Sequence, residues 1–104
     1  LKMHKALSML GIAAKAGRLA SGETAAEQAI RKGKAELVIL SEDASENTGK
    51  KFRNLCSTYK VPVIVFETKE SLGRAIGKGE RSSVAVLDAA LAEAVRIRIE
   101  ETMK

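Results

Sequence analysis

Aromatic residues are scarce in this chain: Phe52, Tyr59 and Phe66 are its only three, and tryptophan is absent. Modules that recognise single-stranded nucleic acid on an aromatic platform need two or three rings across one exposed sheet, and that pattern is missing. Cysteine is represented by Cys56 alone, so no intramolecular disulfide can form, and a reducing, cytoplasmic setting is expected. One cysteine and one histidine, His4, cannot assemble a zinc cluster, and His4 has no partner at catalytic spacing. No apolar run approaches bilayer length, which excludes a membrane-spanning helix. The opening LKMHKALSMLGIAAKAG reads as an amphipathic helix rather than a secretory leader.

What remains is a basic, mixed-composition chain. Its 104 residues predict one domain, 1–104, with a real core, and 45% hydrophobic with 30% charged residues is a globular balance. Eighteen Lys and Arg against thirteen Asp and Glu leave a formal charge of +5. Such a surplus attracts polyanions, RNA or DNA first among them, although charge alone does not separate a nucleic-acid binder from a merely basic protein.

Apolar periodicity divides the chain into alternating elements. Met3, Leu7, Leu10 and Ala14 predict a first helix ended by Gly17, followed by a short strand at Arg18–Ala20. Ala25, Ala26, Ala29 and Ile30 form an apolar stripe of a second helix, with Glu27 and Arg31 as an i, i+4 pair and Gly33 as the stop. Glu36–Ser41 and Val61–Phe66 read as strands buried on both faces. Between them, Ser45–Tyr59 predicts a helix with Phe52, Leu55, Cys56 and Tyr59 inward and an Asp43/Glu46 capping pair at its start. Thr68 caps a helix ended by Gly77, Ser83–Leu87 is a strand, and Asp88 opens a last helix reaching about Thr102. In that last segment Val95, Ile97 and Ile99 alternate with charged residues as a strand would, but length and the Ala-rich start favour a helix. Strands alternating with amphipathic helices predict an α/β fold, a three-layer α/β/α sandwich around a small mixed sheet of about four strands.

Enzyme chemistry is hard to find. Ser57-Thr58-Tyr59-Lys60 matches a bare Ser-x-x-Lys pattern without its companion motifs, and Gly49-Lys50-Lys51 lacks the glycine prefix of a phosphate loop. No enzymatic activity, cofactor or metal is expected. The features left over are a glycine at a helix start (Gly22), the loop Lys78-Gly79-Glu80-Arg81 before the last strand, and Lys69 after the third. In a three-layer sandwich these can meet at one end of the sheet and hold a phosphate backbone; ordinary turn glycines with solvated lysines are the alternative.

GETAAEQAIRKGKAELVILSEDAS, then LC-x4-VPV, then LGRAIGKG, resembles the kink-turn-binding ribosomal protein superfamily, the L-seven-Ae and L-thirty-e group. The length and AGRLASGE are most similar to its small bacterial YlxQ-type members. The resemblance spans nearly the whole chain and implies an α/β/α sandwich that binds sharply bent RNA carrying tandem sheared G·A pairs. The family signature at the second helix reads Gly-x-Asn-Glu-x-x-Lys. Here the glycine is Gly22, while the three readers are replaced by Thr24, Ala25 and Gln28. Thr24 offers one hydrogen bond in place of a two-pronged carboxamide, Ala25 removes a carboxylate, and Gln28 keeps reach without charge. Each lost base contact costs about 1–3 kcal/mol of discrimination.

The resemblance therefore implies a ribosomal-protein-like RNA binder with altered or weakened kink-turn specificity. Its expected edge comprises Gly22, Glu23, Thr24, Ala25 and Gln28. Lys32, Lys69, Lys78 and Arg81, with Gly79 in their loop, are the expected backbone contacts. The expected partners are structured RNA and the ribosomal or other ribonucleoprotein components around it, with no membrane and no small-molecule substrate. The alternative is a protein-interaction module whose RNA edge has decayed, with Ile97 and Ile99 reaching a partner.

Overall fold

A computed structural model of the chain describes residues 4–102. Met3, assigned above to the first helix, lies outside the described residues. The elements run α1 (Lys5–Lys15), β1 (Leu19–Ser21), α2 (Glu23–Arg31), β2 (Leu37–Leu40), α3 (Glu46–Tyr59), β3 (Val63–Val65), α4 (Lys69–Ala75), β4 (Ser83–Val86) and α5 (Ala89–Glu101). The order is the one the periodicity predicts, and the strand alternative for the last segment is set aside: Val95 and Ile99 are buried on a helix, while Ile97 turns outward.

The sheet order is β1-β4-β2-β3. β4 runs antiparallel to β1 and β2, and β2 runs parallel to β3. Alternation along the two central strands sorts the core into layers. Leu37 and Ile39 of β2 and Val84 and Val86 of β4 pack with α1, α4 and α5, through Leu10, Leu72 and Val95. Val38, Leu40 and Ala85 face the other way, onto Ala26 and Ile30 of α2 and Phe52 and Cys56 of α3. Removing side chains of this size from water contributes about 1.5–3 kcal/mol each, which is what fixes the register of so short a sheet.

Five local expectations change. β3 is an edge strand, so Val61–Phe66 is not buried on both faces; Val65 is 44% exposed, and only Val63–Val65 pairs. Ala25 points to solvent, leaving Ala26, Ala29 and Ile30 as the buried stripe of α2. Tyr59 ends α3 and is 41% exposed, because the chain leaves the layer there through Lys60 in a left-handed conformation. The cap of α3 is Ser45, whose Oγ accepts from the Thr48 N–H, and Asp43 instead accepts from the Lys69 N–H at the start of α4, at 2.9 Å. His4, expected within α1, precedes it as the cap, its Nδ1 accepting from the Ala6 N–H. Gly33 does end α2: its N–H and that of Lys34 return to the carbonyls of Ile30 and Ala29, as in a Schellman turn.

Candidate nucleic-acid interface

The register brings one end of the sheet together. Ser21 of β1 pairs with Val84, and Leu40 of β2 pairs with both Ser83 and Val65, so the starts of α2, α3 and α4 surround the start of β4. At that end an open groove of about 610 Å³ is lined by Ser21–Ala25 and Gln28 on one side, Thr48 of α3, and Glu80–Ser83 on the other.

Gly22 is the pivot of the groove. Its backbone, at φ 96° and ψ 161°, lies in a region open essentially to glycine, and its N–H donates to the Ser83 carbonyl at 2.9 Å. Strand and helix are thereby joined without a linker, and α2 begins directly at the rim. Thr24, Ala25 and Gln28 are all exposed along it.

Arg81 crosses the opposite wall. Its Nε donates to Ser21 Oγ at 3.4 Å, and its Nη1 donates to the carbonyls of Gly79 and Glu80 at 3.3 and 3.0 Å. Nη2 has no hydrogen-bond partner among the described residues. A guanidinium has five N–H donors in a fixed plane, so this one is held by its near edge with donors to spare. The Arg81 N–H donates to the Lys69 carbonyl at 2.9 Å, and the Lys69 ammonium lies 3.9 Å from Glu80, which ties the α4–β4 loop to the first residue of α4.

The charge in the groove is lower than the lysine-rich sequence suggests. Glu23 and Glu80 both line it beside Arg81. Glu23 accepts from Thr48 Oγ1 at 2.9 Å and lies 3.9 Å from Lys51. Lys51 also pairs with Glu27, which is shared with Arg31 at 2.9 Å. The hydrogen bond from Lys51, and after it that from Arg31, hold the Glu27 carboxyl below its usual range, while Glu27 raises both cations. What dominates the groove is hydroxyl and amide chemistry: Ser21, Thr24, Thr48, Ser82, Ser83 and Gln28. Such groups donate and accept, and they match base edges and ribose hydroxyls better than bare phosphate.

The expected site residues therefore divide. Gly22, Glu23, Thr24, Ala25, Gln28 and Arg81 share one groove, with Gly79 behind Arg81. Lys69 and Lys78 flank it on α4 and its following loop, half-exposed and exposed. Lys32 is not brought there: it caps the far end of α2, about 15 Å along the helix from Gly22. The sequence does not point to Ser21, Thr48, Ser82 and Ser83, and it marks Glu80 only as part of the loop before the last strand. The serines flank predicted strands and could have been suspected, but nothing along the chain links Thr48 to Glu23. Among the described residues, no group of His, Cys, Asp and Glu could hold a metal, and no helix is long and apolar enough to cross a membrane.

Known proteins share this architecture. The RNA-binding protein YlxQ of Bacillus subtilis (strain 168) is 48% identical over 80 residues, covering 77% of this chain and 80% of the relative. The RNA-binding protein YlxQ of Enterococcus faecium is 35% identical over 97 residues, 93% of each chain. The large ribosomal subunit protein eL8 of Thermoplasma volcanium is 28% identical over 82% of this chain and 71% of its own. Among solved structures, a protein of unknown function from Bacillus halodurans C superposes with a TM-score of 0.91 at 42% identity, covering 94% of this chain and 99% of that one. The Giardia lamblia 15.5kD RNA binding protein shares the fold, with a TM-score of 0.77 at 24% identity over 91% of this chain and 82% of its own. The sequence model of the ribosomal protein L7Ae/L30e/S12e/Gadd45 family matches residues 4–95, and with the α/β/α architecture and these relatives it follows that the chain belongs to that family.

Proposed function

We propose that the chain acts as one non-enzymatic, cytoplasmic RNA-binding unit that holds structured, kink-turn-like RNA at the α2 start, with specificity altered from that of the family signature. The observation that carries this reading is the groove itself: an exposed helix start, a prearranged guanidinium and a wall of hydroxyls at one rim. The relatives named as RNA-binding proteins support the same class of ligand. Thr24 and Gln28 are in reach of a base edge, and Ala25 opens space where the signature has a carboxylate. Arg81 supplies the fixed donor, and Lys69 and Lys78 contact phosphates beside it. Ribosomal or other ribonucleoprotein RNA is the expected setting, in line with the ribosomal relative.

The test is a titration of labelled kink-turn RNA beside the same RNA with its G·A pairs converted to Watson–Crick pairs, at low and physiological salt, for wild type and Arg81→Ala. The expected result is a modest preference for the kink-turn, a steep fall in affinity with salt, and a loss of preference in Arg81→Ala. Equal binding of both RNAs by wild type removes the specificity claim, and no binding at low salt removes the reading. For the interaction-module alternative, which also rests on the three replaced readers, Ile99 is fully buried and of the two isoleucines only Ile97 is exposed.

A further inference from the structure

The proposed RNA edge does not account for a second groove on the same helix pair. This groove, of about 400 Å³, lies between α2 and α3 and is lined by Arg31, Lys51, Asn54, Leu55, Thr58 and Tyr59. Tyr59 is the one exposed ring of the chain: Phe52 is fully buried and Phe66 nearly so. A half-exposed tyrosine beside a guanidinium stands out in a protein with so few rings, and the two together have the chemistry of a base-stacking surface. Asn54 and Thr58 add donors and acceptors for a base edge. Arg31 shares Glu27 with Lys51, which also lies beside Glu23, so a phosphate reaches these two cations by displacing a carboxylate from them.

The two grooves share no lining residue but lie along the same pair of helices. A polar seam runs from Ser45 through Thr48, Glu23, Lys51 and Glu27 to Arg31. Thr48 lines the first groove and Tyr59 the second, about 16 Å further along α3. Lys32, which stands apart from the first groove, follows Arg31 at this end of α2.

We infer that the Arg31–Tyr59 groove is a second RNA subsite, taking an unpaired nucleotide from a strand that continues out of the helix-start groove. Its base stacks on Tyr59, and its phosphate meets Arg31 and Lys51. The inference rests on the proposed function, because the strand must first be held at Gly22.

The experiment compares a kink-turn RNA core with the same core bearing a single-stranded flank that contains 2-aminopurine. The chains tested are wild type, Tyr59→Phe and Tyr59→Ala. For wild type and Tyr59→Phe, the flank is expected to tighten binding roughly tenfold and the 2-aminopurine fluorescence to be quenched. Tyr59→Ala is expected to lose both effects while binding the bare core as wild type does, which also shows that it is folded. A flank that adds nothing for wild type, or a Tyr59→Ala loss equal on both RNAs, overturns the subsite and leaves the first groove standing. Failure of wild type on the bare core removes the proposed function and this inference together.

Discussion

Arg81 lies across Gly22: its Cδ and Nε each stand 3.9 Å from the point that a β-carbon on Gly22 would occupy. That is ordinary contact, so a methyl group there meets no wall. The constraint on Gly22 is its backbone conformation, and from this a clean expectation follows. Gly22→Ala should lose about 1–3 kcal/mol of stability through strain, or relieve it by shifting the start of α2. Urea denaturation reads the first outcome. An unchanged midpoint together with unchanged RNA affinity would contradict both.

Gly73 presents the opposite case. A β-carbon on it would fall 1.9 Å from the Gly79 carbonyl oxygen and 2.6 Å from its carbon, and backbone atoms cannot rotate away. Gly73→Ala must therefore push the α4–β4 loop off α4, with a destabilisation of about 1–3 kcal/mol. The same loop carries Lys78 and Arg81, so RNA affinity should fall further than stability explains. Affinity measured well below the unfolding midpoint separates the two effects.

Acid should unfold the protein in part through Asp43. The Lys69 N–H, first among its causes, holds the Asp43 carboxyl below the usual carboxylate range. A depressed folded value means that the stabilisation is fully present above the unfolded value of about 3.9 and is lost as pH falls through the folded one. Glu27 and Glu93, lowered by Lys51 and Arg96, act in the same direction. Asp43→Ala should be less stable than wild type at neutral pH and show a shallower loss below about pH 4. Identical acid limbs in thermal melts across that range would rule the link out.

Cys56 should be silent in the folded state. It is 1% exposed on the inner face of α3, and burial pushes its thiol up to about 11. A thiol reagent at mildly alkaline pH should label it only at the rate of unfolding, and label it at once in denaturant. Prompt labelling of the native chain would mean that the α2–α3 layer opens far more readily than its packing suggests.

The legibility of the sequence varied by element. α2 was readable to its ends, because Glu27, Arg31 and Gly33 act within a few residues of one another. β2 was readable because LVIL is buried on both faces. β3 departs from its sequence pattern for a tertiary reason: VPVIVF is as apolar as β2, and only the order β1-β4-β2-β3 makes it an edge. Asp43 serves α4 and not the α3 that its place in the sequence suggests, because a carboxylate near two helix starts caps whichever one packing brings closer.

The candidate site divides along the same line. The alternation of helices and strands, the glycine helix start and the positive charge are written in the sequence, since all of these depend on neighbours in the chain or on simple counting. It also carried the family resemblance. It takes the packed layers to bring Thr48, Glu80 and Ser82 around one groove with Thr24 and Gln28, to set Lys32 a helix length away, and to leave Tyr59 half-exposed beside Arg31. Those facts depend on which layers pack together and in what register, and such contacts between distant residues leave no periodic trace along the chain.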